Sequence, residues 1–259
     1  MRFGLISYLN AAPLQYGLRH SPEKCLSETC EFEDDIPARL YEGLLSRRFD
    51  TALISSVECL RNPGFAYCTS VGVCGSGRVR SILYIRRKQS IGAQDLIYSA
   101  PNRLLVDEGS RTSVALLHLL LKRSSGKHVE STPARARDIP DQIKNDEGGL
   151  LIGDAALQFW NRPDIDNFIW KDLAEWWFDL EKLPFVFALW AYRKTDPIPD
   201  TVFEKSLKLG LENIDKIIRE SGRTDARSYL TEIIHYRLSD KDREALSVYG
   251  ERLKEEGLF

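Results

Sequence analysis

Short apolar runs alternate with amphipathic segments in the first part of the chain. The runs predict strands at residues 2–6, 29–33 and 51–55, and apolar positions with a helical period predict helices near 13–19 and 36–47. This order of elements is typical of a β-α-β-α-β unit with parallel strands. We therefore expect an α/β fold.

The same alternation returns after two extended segments at residues 67–73 and 79–85. Gly72, Gly75 and Gly77 lie in or between these segments, and because no phosphate-binding glycine pattern surrounds them we expect them to shape a turn. The second alternating region has predicted strands near 104–106, 128–131 and 149–152 and predicted helices near 111–122 and 138–145.

The last part of the chain begins with a tryptophan-rich region, which contains Trp170, Trp176 and Trp177 and is expected to be helical. An unbroken apolar run from Pro184 to Trp190 predicts a buried strand. Three further helices are predicted near 200–220, 224–236 and 240–256.

Two α/β regions joined by two long extended segments predict two lobes, two crossings between the lobes, and a central cleft in which a ligand binds. We expect the first lobe to begin with residues 1–85 and the second lobe to comprise residues 86–184. Residues 185–259 contain the return strand and the C-terminal helices, and we expect them to complete the first lobe.

Charge and composition narrow the choice of ligand and compartment. The chain of 259 residues has 36 basic and 38 acidic side chains, for a net charge of −2, and neither sign forms a long block. This balance disfavours nucleic-acid and membrane partners and favours a small-molecule ligand. No secretion signal precedes the first strand, so a cytoplasmic location is expected. The sequence does not define an oligomeric state.

Cysteines and histidines show neither a disulfide pattern nor a metal pattern. The five cysteines are odd in number and include no C-x-x-C pair, which is typical of reduced thiols in a cytosolic protein. The four histidines are not paired at metal-ligand spacing with one another or with a cysteine. We therefore expect neither a metal nor another cofactor.

Small polar residues follow four of the predicted strands. In an open α/β sheet the carboxyl ends of the strands face a crevice, where unpaired helix amides and the helix dipole attract an anion. Asn10 would stand at the mouth of such a crevice, shortly before Pro13 in the first turn of a helix. Ser81 interrupts an apolar crossing strand and is a further candidate. Besides Asn10, the candidate ligand-binding residues are Ser7, Ser55, Ser56, Ser81, Ser110, Thr112, Ser113 and Asp154.

Most of these residues also have a structural alternative. Ser55 and Ser56 are suitable turn residues at the end of a strand. Ser81 could satisfy its hydroxyl by a local hydrogen bond. The residues that precede or begin a predicted helix are suitable helix caps, namely Asn10, Ser110, Thr112 and Asp154.

The sequence contains no pattern of a strong catalytic base. It has no G-x-S-x-G nucleophile elbow, and no histidine has a catalytic motif around it. This favours either simple binding or a reaction in which the ligand supplies much of the reactivity.

Five segments together resemble the chorismate dehydratase family, the MqnA enzymes that open the futalosine route to menaquinone. Each segment is short, and their order and spacing across nearly the whole chain carry the resemblance. The segments are Ser7-Tyr-Leu-Asn-Ala-Ala-Pro13, Phe49-Asp-Thr-Ala-Leu-Ile-Ser-Ser-Val-Glu58, Asp107 with Ser110-Arg-Thr-Ser113, Leu151-Ile-Gly-Asp154, and Asp172-Leu-Ala-Glu-Trp-Trp177 leading into Leu183-Pro-Phe-Val-Phe-Ala-Leu-Trp190.

The resemblance implies a fold like a type II periplasmic binding protein, with the active site between two α/β lobes. It also implies a lyase reaction in which chorismate loses its ring hydroxyl and a neighbouring ring proton to give 3-[(1-carboxyvinyl)oxy]benzoate and water. Asn10 would then lie at the reacting ring, and the serine and threonine hydroxyls would hold the two carboxylates. Since an amide is not a base, the enolpyruvyl carboxylate of the substrate is the expected proton acceptor.

One position departs from the family pattern. Where the family usually has Thr-Gly before Leu-Pro-Phe, this chain has Glu181-Lys182. The local turn is therefore expected to differ, with an effect on hinge geometry rather than on chemistry.

Two other functions fit the same residues. A cytosolic small-anion binding or sensor protein would share the fold, because a fold does not determine a function. The sister enzyme of the same pathway acts on cyclic dehypoxanthine futalosine and has a related fold. That enzyme has a segment with cysteine, proline and aspartate after its first strand, whereas this chain has Ser7 to Asn10 there.

Overall fold

Strands and helices alternate along the chain, as the apolar pattern predicts. The computed structural model describes residues 1–88, 96–107, 109 and 111–259. The strands in this part are β1 (Arg2–Ile6), β2 (Glu31–Asp35), β3 (Thr51–Ser55), β4 (Phe65–Gly75), β5 (Ile82–Arg87), β6 (Leu104–Val106), β7 (Ser131–Pro133), β8 (Gly148–Ile152), β9 (Phe168–Asp172), β10 (Phe185–Arg193) and β11 (Ile234–Arg237). The α-helices are α1 (Ala12–His20), α2 (Pro22–Cys25), α3 (Pro37–Leu45), α4 (Ser56–Arg61), α5 (Arg111–Ser125), α6 (Ile139–Gln142), α7 (Gly153–Phe159), α8 (Leu173–Glu181), α9 (Asp200–Glu212), α10 (Ile214–Ser221), α11 (Ala226–Ser228) and α12 (Asp240–Glu255). None of these described helices combines the length and the apolarity needed to cross a membrane.

The chain forms two compact units. The first contains Met1–Gly75 and Pro184–Ser247, and the second contains Ser76–Leu183 and Val248–Phe259. The first segment of the first unit ends before the predicted residue 85, because β5 pairs with β8 and β9 in the second sheet. The chain passes between the units three times rather than the expected two, since the last passage lies within α12.

A mixed six-stranded sheet in the order β11-β4-β10-β3-β1-β2 forms the centre of the first unit. β1, β2 and β3 run parallel, with Phe3 opposite both Phe32 and Thr51, whereas β10 runs antiparallel to β3 and β4. The carboxyl ends of β1, β3 and β4 therefore lie at the same edge as the start of β10. Ser7 and Ser55, which follow and end β1 and β3, are placed at this edge.

The first turn of α1 packs closely against α9. The Ser206 hydroxyl of α9 donates a hydrogen bond to the Leu14 carbonyl at 2.7 Å. A glycine allows the two backbones to approach, because a Cβ on Gly210 would lie 2.0 Å from the carbonyl oxygen of Pro13. Since Pro13 follows Asn10 by three residues, this contact also holds the corner that contains Asn10.

The second unit contains a five-stranded sheet in the order β7-β6-β8-β5-β9. β6 runs parallel to β7 and β8, and β5 runs antiparallel to β8 and β9. The ends of β6, β8 and β9 and the start of β5 therefore share one edge of the sheet. At this edge Ile82 is opposite Ile152, and Leu83 is opposite Asp172.

Two predicted elements were wrong in type. Trp170 lies in strand β9 rather than in a helix, and it is opposite Ile85. The predicted helix at 224–236 ends in strand β11, whose His235 is opposite Cys74 of β4. Both strands are at sheet edges, where pairing with a neighbouring strand outweighs a local helical pattern.

The departure from the family pattern lies at the end of α8. Burial acts to raise the pKa of Glu181, but hydrogen bonds from Arg252 and Arg123 lower it overall. Lys182 ends the helix with a φ of 58°, in the left-handed region. Glycine adopts this conformation without the Cβ penalty, so Lys182 takes up the backbone conformation that suits the glycine of the family pattern.

Replacing Lys182 with glycine is expected to stabilise the protein by roughly 0.5 to 1 kcal/mol. Glycine removes the clash that a Cβ makes in the left-handed conformation, and it also increases the conformational entropy of the unfolded chain. The free energy gained by the first effect is larger than the free energy lost by the second. Urea unfolding of Lys182→Gly and of the control Lys182→Ala measures the effect. Equal stability of the two variants would show that the backbone conformation is not the cause.

His118 in α5 provides a pH-dependent contribution to stability. Its ring stacks on His128 with centroids 5.5 Å apart, and its Nε2 lies 2.7 Å from the Ser131 hydroxyl. Burial, and to a smaller extent the neighbouring His128, lowers the pKa of His118 to about 4. The folded chain therefore binds this proton less tightly than the unfolded chain, and stability is lost as the pH falls from 6.5 towards 4.

Between pH 7 and pH 5 the wild-type chain is expected to lose roughly 1 to 2 kcal/mol more stability than His118→Gln. Urea unfolding at the two pH values measures the difference. His20 is exposed, so His20→Gln is the control and should retain the wild-type pH dependence. The same loss in wild type and in His118→Gln would contradict the assignment.

Candidate functional site

Gln15 fixes the corner that follows β1. Its side-chain oxygen accepts a hydrogen bond from the Ile6 N–H at 2.6 Å, and its amide nitrogen donates to the Ile6 carbonyl at 2.8 Å. Gln15 is only 2% exposed and satisfies both backbone groups at the buried end of β1. The chain then turns at the exposed Ser7 into a single 3-10 turn, Leu9–Ala11. This arrangement places Asn10 at the edge of the sheet.

Asn10 does not cap the helix that follows it. The N-cap of α1 is Ala11, which makes no side-chain hydrogen bond, and Pro13 lies in the first turn. The Asn10 side chain is partly exposed and makes no hydrogen bond to any residue that the structure describes. Its two donors and its acceptor are therefore available to a ligand.

Two adjacent serines lie where β3 ends and α4 begins, and their hydroxyls differ in hydrogen bonding. Ser56 donates to the Val186 carbonyl of β10 at 2.6 Å, so its hydroxyl ties the start of α4 to the sheet. Ser55 is 2% exposed and makes no capping bond to α4, and its Oγ has no partner among the described residues. A buried hydroxyl without a partner costs free energy, which a bound hydrogen-bonding group recovers. Ser55 is therefore the stronger binding candidate of the two.

Asp172 organises the edge of the second sheet. Its carboxylate is fully buried and accepts four backbone hydrogen bonds. Oδ1 accepts from Ala174 at 3.0 Å and Glu175 at 3.2 Å, which caps α8. Oδ2 accepts from Val79 at 3.1 Å and Arg80 at 2.6 Å. Burial raises the pKa of Asp172 to about 6, although the four N–H donors act in the opposite direction.

Ser81 stands directly after the turn that Asp172 holds. Arg80 has a left-handed φ of 66°, and Trp160 Nε1 donates to the Arg80 carbonyl at 3.0 Å. The Ser81 carbonyl accepts from the Gly153 N–H at 2.8 Å, which joins the start of β5 to the end of β8. Ser81 is buried, and its hydroxyl bonds to none of the described residues. The local hydrogen bond that was the alternative for Ser81 is therefore not formed.

Thr112 and Ser113 are buried in the first turn of α5. The Thr112 carbonyl accepts a hydrogen bond from the Tyr249 hydroxyl of α12 at 3.1 Å, so the start of the helix is fixed from behind. Both residues take part in interactions within the chain, so their residue types alone do not assign them to a ligand. Ser110, the residue before the helix, lies outside the described residues.

Asp154 lies in the first turn of α7 and is not its N-cap. The N-cap position is occupied by Ile152, which has no side-chain hydrogen bond, and Gly153 begins the helix with a φ of 55°. Asp154 takes part in an interaction within the chain, so its residue type alone does not assign it to a ligand.

The structure thus brings the candidates together in two groups, one in each unit. The group at the edge of the first sheet is Ser7, Asn10, Ser55 and Ser56, and the group at the edge of the second is Ser81, Thr112, Ser113 and Asp154.

The sequence analysis did not identify Gln15 and Asp172 as functional candidates. The spacing of Asp172 and Glu175 is a sequence signal for the start of a helix, whereas no sequence pattern predicts the hydrogen bonds of Gln15.

Cys74, His235 and Asp242 form a cluster whose metal-ligating atoms lie within 4.8 Å of one another. His235 Nε2 is 2.8 Å from Asp242 Oδ1, and the Ser239 N–H and hydroxyl bond to the other carboxylate oxygen. Burial, together with the charge of Asp242, raises the pKa of Cys74 well above its usual range. The hydrogen bonds between Ser239 and Asp242 are those of a cap at the start of α12, and we assign no metal to this cluster.

Two curated relatives are similar to this chain over nearly its full length. The chorismate dehydratase of Campylobacter jejuni is 27% identical over 261 residues, which cover 98% of each chain. The chorismate dehydratase of Thermus thermophilus is 30% identical over 275 residues, which cover 96% of this chain and 94% of that one.

Solved structures of more distant proteins share the fold. Protein AF1704 of Archaeoglobus fulgidus has a TM-score of 0.78 at 17% identity, with 100% of this chain and 98% of that chain covered. The periplasmic aliphatic sulphonate binding protein SsuA of Escherichia coli has a TM-score of 0.66 at 10% identity, with 100% and 87% covered. At these identities the likeness concerns the fold alone, and it confirms the predicted α/β fold of the periplasmic-binding-protein type.

The sequence also matches a protein family described as menaquinone biosynthesis. The match runs over residues 1–255, almost the whole chain. It includes the strand ends that carry both groups of candidate residues. The chain therefore belongs to the menaquinone biosynthesis family.

Proposed function

We propose that this chain is a chorismate dehydratase, a hydro-lyase that converts chorismate to 3-[(1-carboxyvinyl)oxy]benzoate and water. The observation that carries the proposal is the near-full-length similarity to two relatives of that name. In the reaction a ring C–H bond and the neighbouring C–OH bond break, and the C–H electron pair completes the aromatic ring. The released proton and hydroxide account for the water, so no oxidant or reductant is consumed.

Asn10 is proposed to act at the reacting ring. Its amide has no other hydrogen bond in the described part of the chain, and it carries N–H donors for the leaving hydroxyl. An amide does not take up a proton at neutral pH. The enolpyruvyl carboxylate of the substrate is therefore the proposed proton acceptor, and the protein contributes position and hydrogen bonds.

The two carboxylates of chorismate are proposed to bind hydroxyls and helix amides. Ser55 and Ser81 are the strongest candidates, because each is buried and neither hydroxyl bonds to a described residue. Thr112 and Ser113 lie in the first turn of α5, where the helix dipole favours an anion. The remaining members of the proposed set are Ser7, Ser56, Ser110 and Asp154.

We place this reaction in the cytoplasm. All five cysteines are free thiols, and four of them are buried. This agrees with a reducing compartment.

Purified protein mixed with chorismate, without added cofactor, tests the proposal. Proton NMR is expected to show loss of the cyclohexadiene signals and growth of aromatic signals from a product that retains the enolpyruvyl group. Chorismate binding without turnover would instead indicate a small-anion binding or sensor protein. Turnover of cyclic dehypoxanthine futalosine, but not of chorismate, would indicate the sister enzyme.

A further inference from the structure

The two oxygens of the buried Asp172 carboxylate serve two different parts of the second unit. Oδ1 accepts from the N–H groups of Ala174 and Glu175 and caps α8. Oδ2 accepts from the N–H groups of Val79 and Arg80, which precede Asp172 by 93 and 92 residues. Helix capping accounts for the first pair of bonds. It does not account for the second pair.

The Oδ2 bonds hold a backbone conformation that the sequence does not favour. Arg80 has a φ of 66°, where a side chain other than glycine is strained. Without the carboxylate the two N–H groups would lose their acceptor at a position from which water is largely excluded, since Val79 is fully buried. The turn is therefore maintained by Asp172 against its own local preference.

Ser81 is the first residue after this turn, and its position depends on the turn. Its carbonyl accepts from Gly153 at 2.8 Å, whereas its buried hydroxyl makes no bond to a described residue. No hydrogen bond to a described residue fixes the Ser81 hydroxyl, so its position follows the position of the Ser81 backbone. Relaxation of Arg80 would therefore displace the Ser81 hydroxyl without any change in the Ser81 side chain.

We propose that Asp172 is a positioning residue for substrate binding, which holds the Ser81 hydroxyl in place for a substrate carboxylate through the Oδ2 bonds to Val79 and Arg80. The proposal rests on the proposed function, in which Ser81 contacts a carboxylate of chorismate. Asp172 itself does not touch the substrate. Its role is distinct from the cap on α8, which the other oxygen provides.

Replacing Asp172 with serine separates the two roles. A serine at the N-cap still caps α8, because its hydroxyl reaches the N–H groups of the first turn, but it is too short to bond to Val79 and Arg80 as well. With chorismate as substrate, KM is expected to rise about tenfold to a hundredfold, as for Ser81→Ala, while kcat changes less than threefold. In the double variant Asp172→Ser/Ser81→Ala, KM should be no higher than in Ser81→Ala.

A rescue experiment tests whether the left-handed turn is the cause. Glycine adopts this conformation freely, so Arg80→Gly combined with Asp172→Ser should recover part of the KM. The matched control combines Asp172→Ser with Lys182→Gly, which relieves the same kind of backbone strain at the end of α8. The control should raise stability without recovering the KM.

The outcomes separate this proposal from the proposed function. If wild type does not dehydrate chorismate, the proposed function fails. If wild type is active and Ser81→Ala raises KM, but Asp172→Ser leaves KM unchanged or multiplies the Ser81→Ala effect, Asp172 has a structural role only. Rescue by Lys182→Gly as strong as by Arg80→Gly would also overturn the proposal. Should the serine variant not fold, Asp172→Asn, with a single acceptor oxygen, takes its place in the same cycle.

Discussion

Replacing Asn10 with alanine is expected to lower the kcat for chorismate dehydration about 100- to 1000-fold, with KM nearly unchanged. This is the usual loss when one donor to a developing negative charge is removed from an active site. The Asn10 amide makes no hydrogen bond within the described residues and does not cap α1, so alanine removes no contact on which the fold depends. The loss should therefore fall on the chemical step.

Single-turnover measurements with saturating chorismate give the rate of the chemical step directly. Asn161→Ala is a suitable control, because Asn161 is exposed and follows α7, away from the candidate residues at the sheet edge. That control should retain the wild-type rate. An Asn10→Ala protein that binds chorismate and dehydrates it at nearly the wild-type rate would remove Asn10 from the mechanism.

Replacing Gly210 with alanine is expected to lower the free energy of unfolding by about 2 to 3 kcal/mol. The added Cβ would lie 2.0 Å from the carbonyl oxygen of Pro13, which is backbone and does not rotate away. α1 and α9 must then separate, and overpacking of this kind costs about 1 to 3 kcal/mol. Helix propensity alone predicts the opposite sign, since alanine is favoured over glycine by about 1 kcal/mol within a helix.

The same substitution is expected to reduce activity, because Pro13 follows Asn10 by three residues and a shift of α1 moves that corner. Urea unfolding and kcat measured on the same preparation test both effects. Lys208→Ala in the same helix is the control, since the Lys208 side chain is 71% exposed and its loss should change neither quantity appreciably. A Gly210→Ala protein as stable as wild type would show that the two helices do not depend on this close contact.

Much of the fold follows from local patterns in the sequence. Apolar runs at β1 and β3 and the helical period of α3 predict their elements closely, because strand and helix periodicity are properties of neighbouring residues. The edge strands β9 and β11 do not follow in this way. Their sequences are compatible with a helix, and only the presence of β5 and β4 beside them selects the strand.

In the candidate site, too, some features follow from the local sequence and others depend on tertiary contacts. Ser55 and Ser56 are adjacent and chemically identical, and the local sequence pattern predicts only that two hydroxyls lie at the end of a strand. Only the packing of β10 against this strand end distinguishes the two: Ser56 bonds to Val186, 130 residues away, while the Ser55 hydroxyl has no partner among the described residues. A polar residue at the end of a strand can be predicted from its neighbours in the sequence. The hydrogen-bond partner of a buried side chain cannot, because it depends on which distant backbone packs against that side chain.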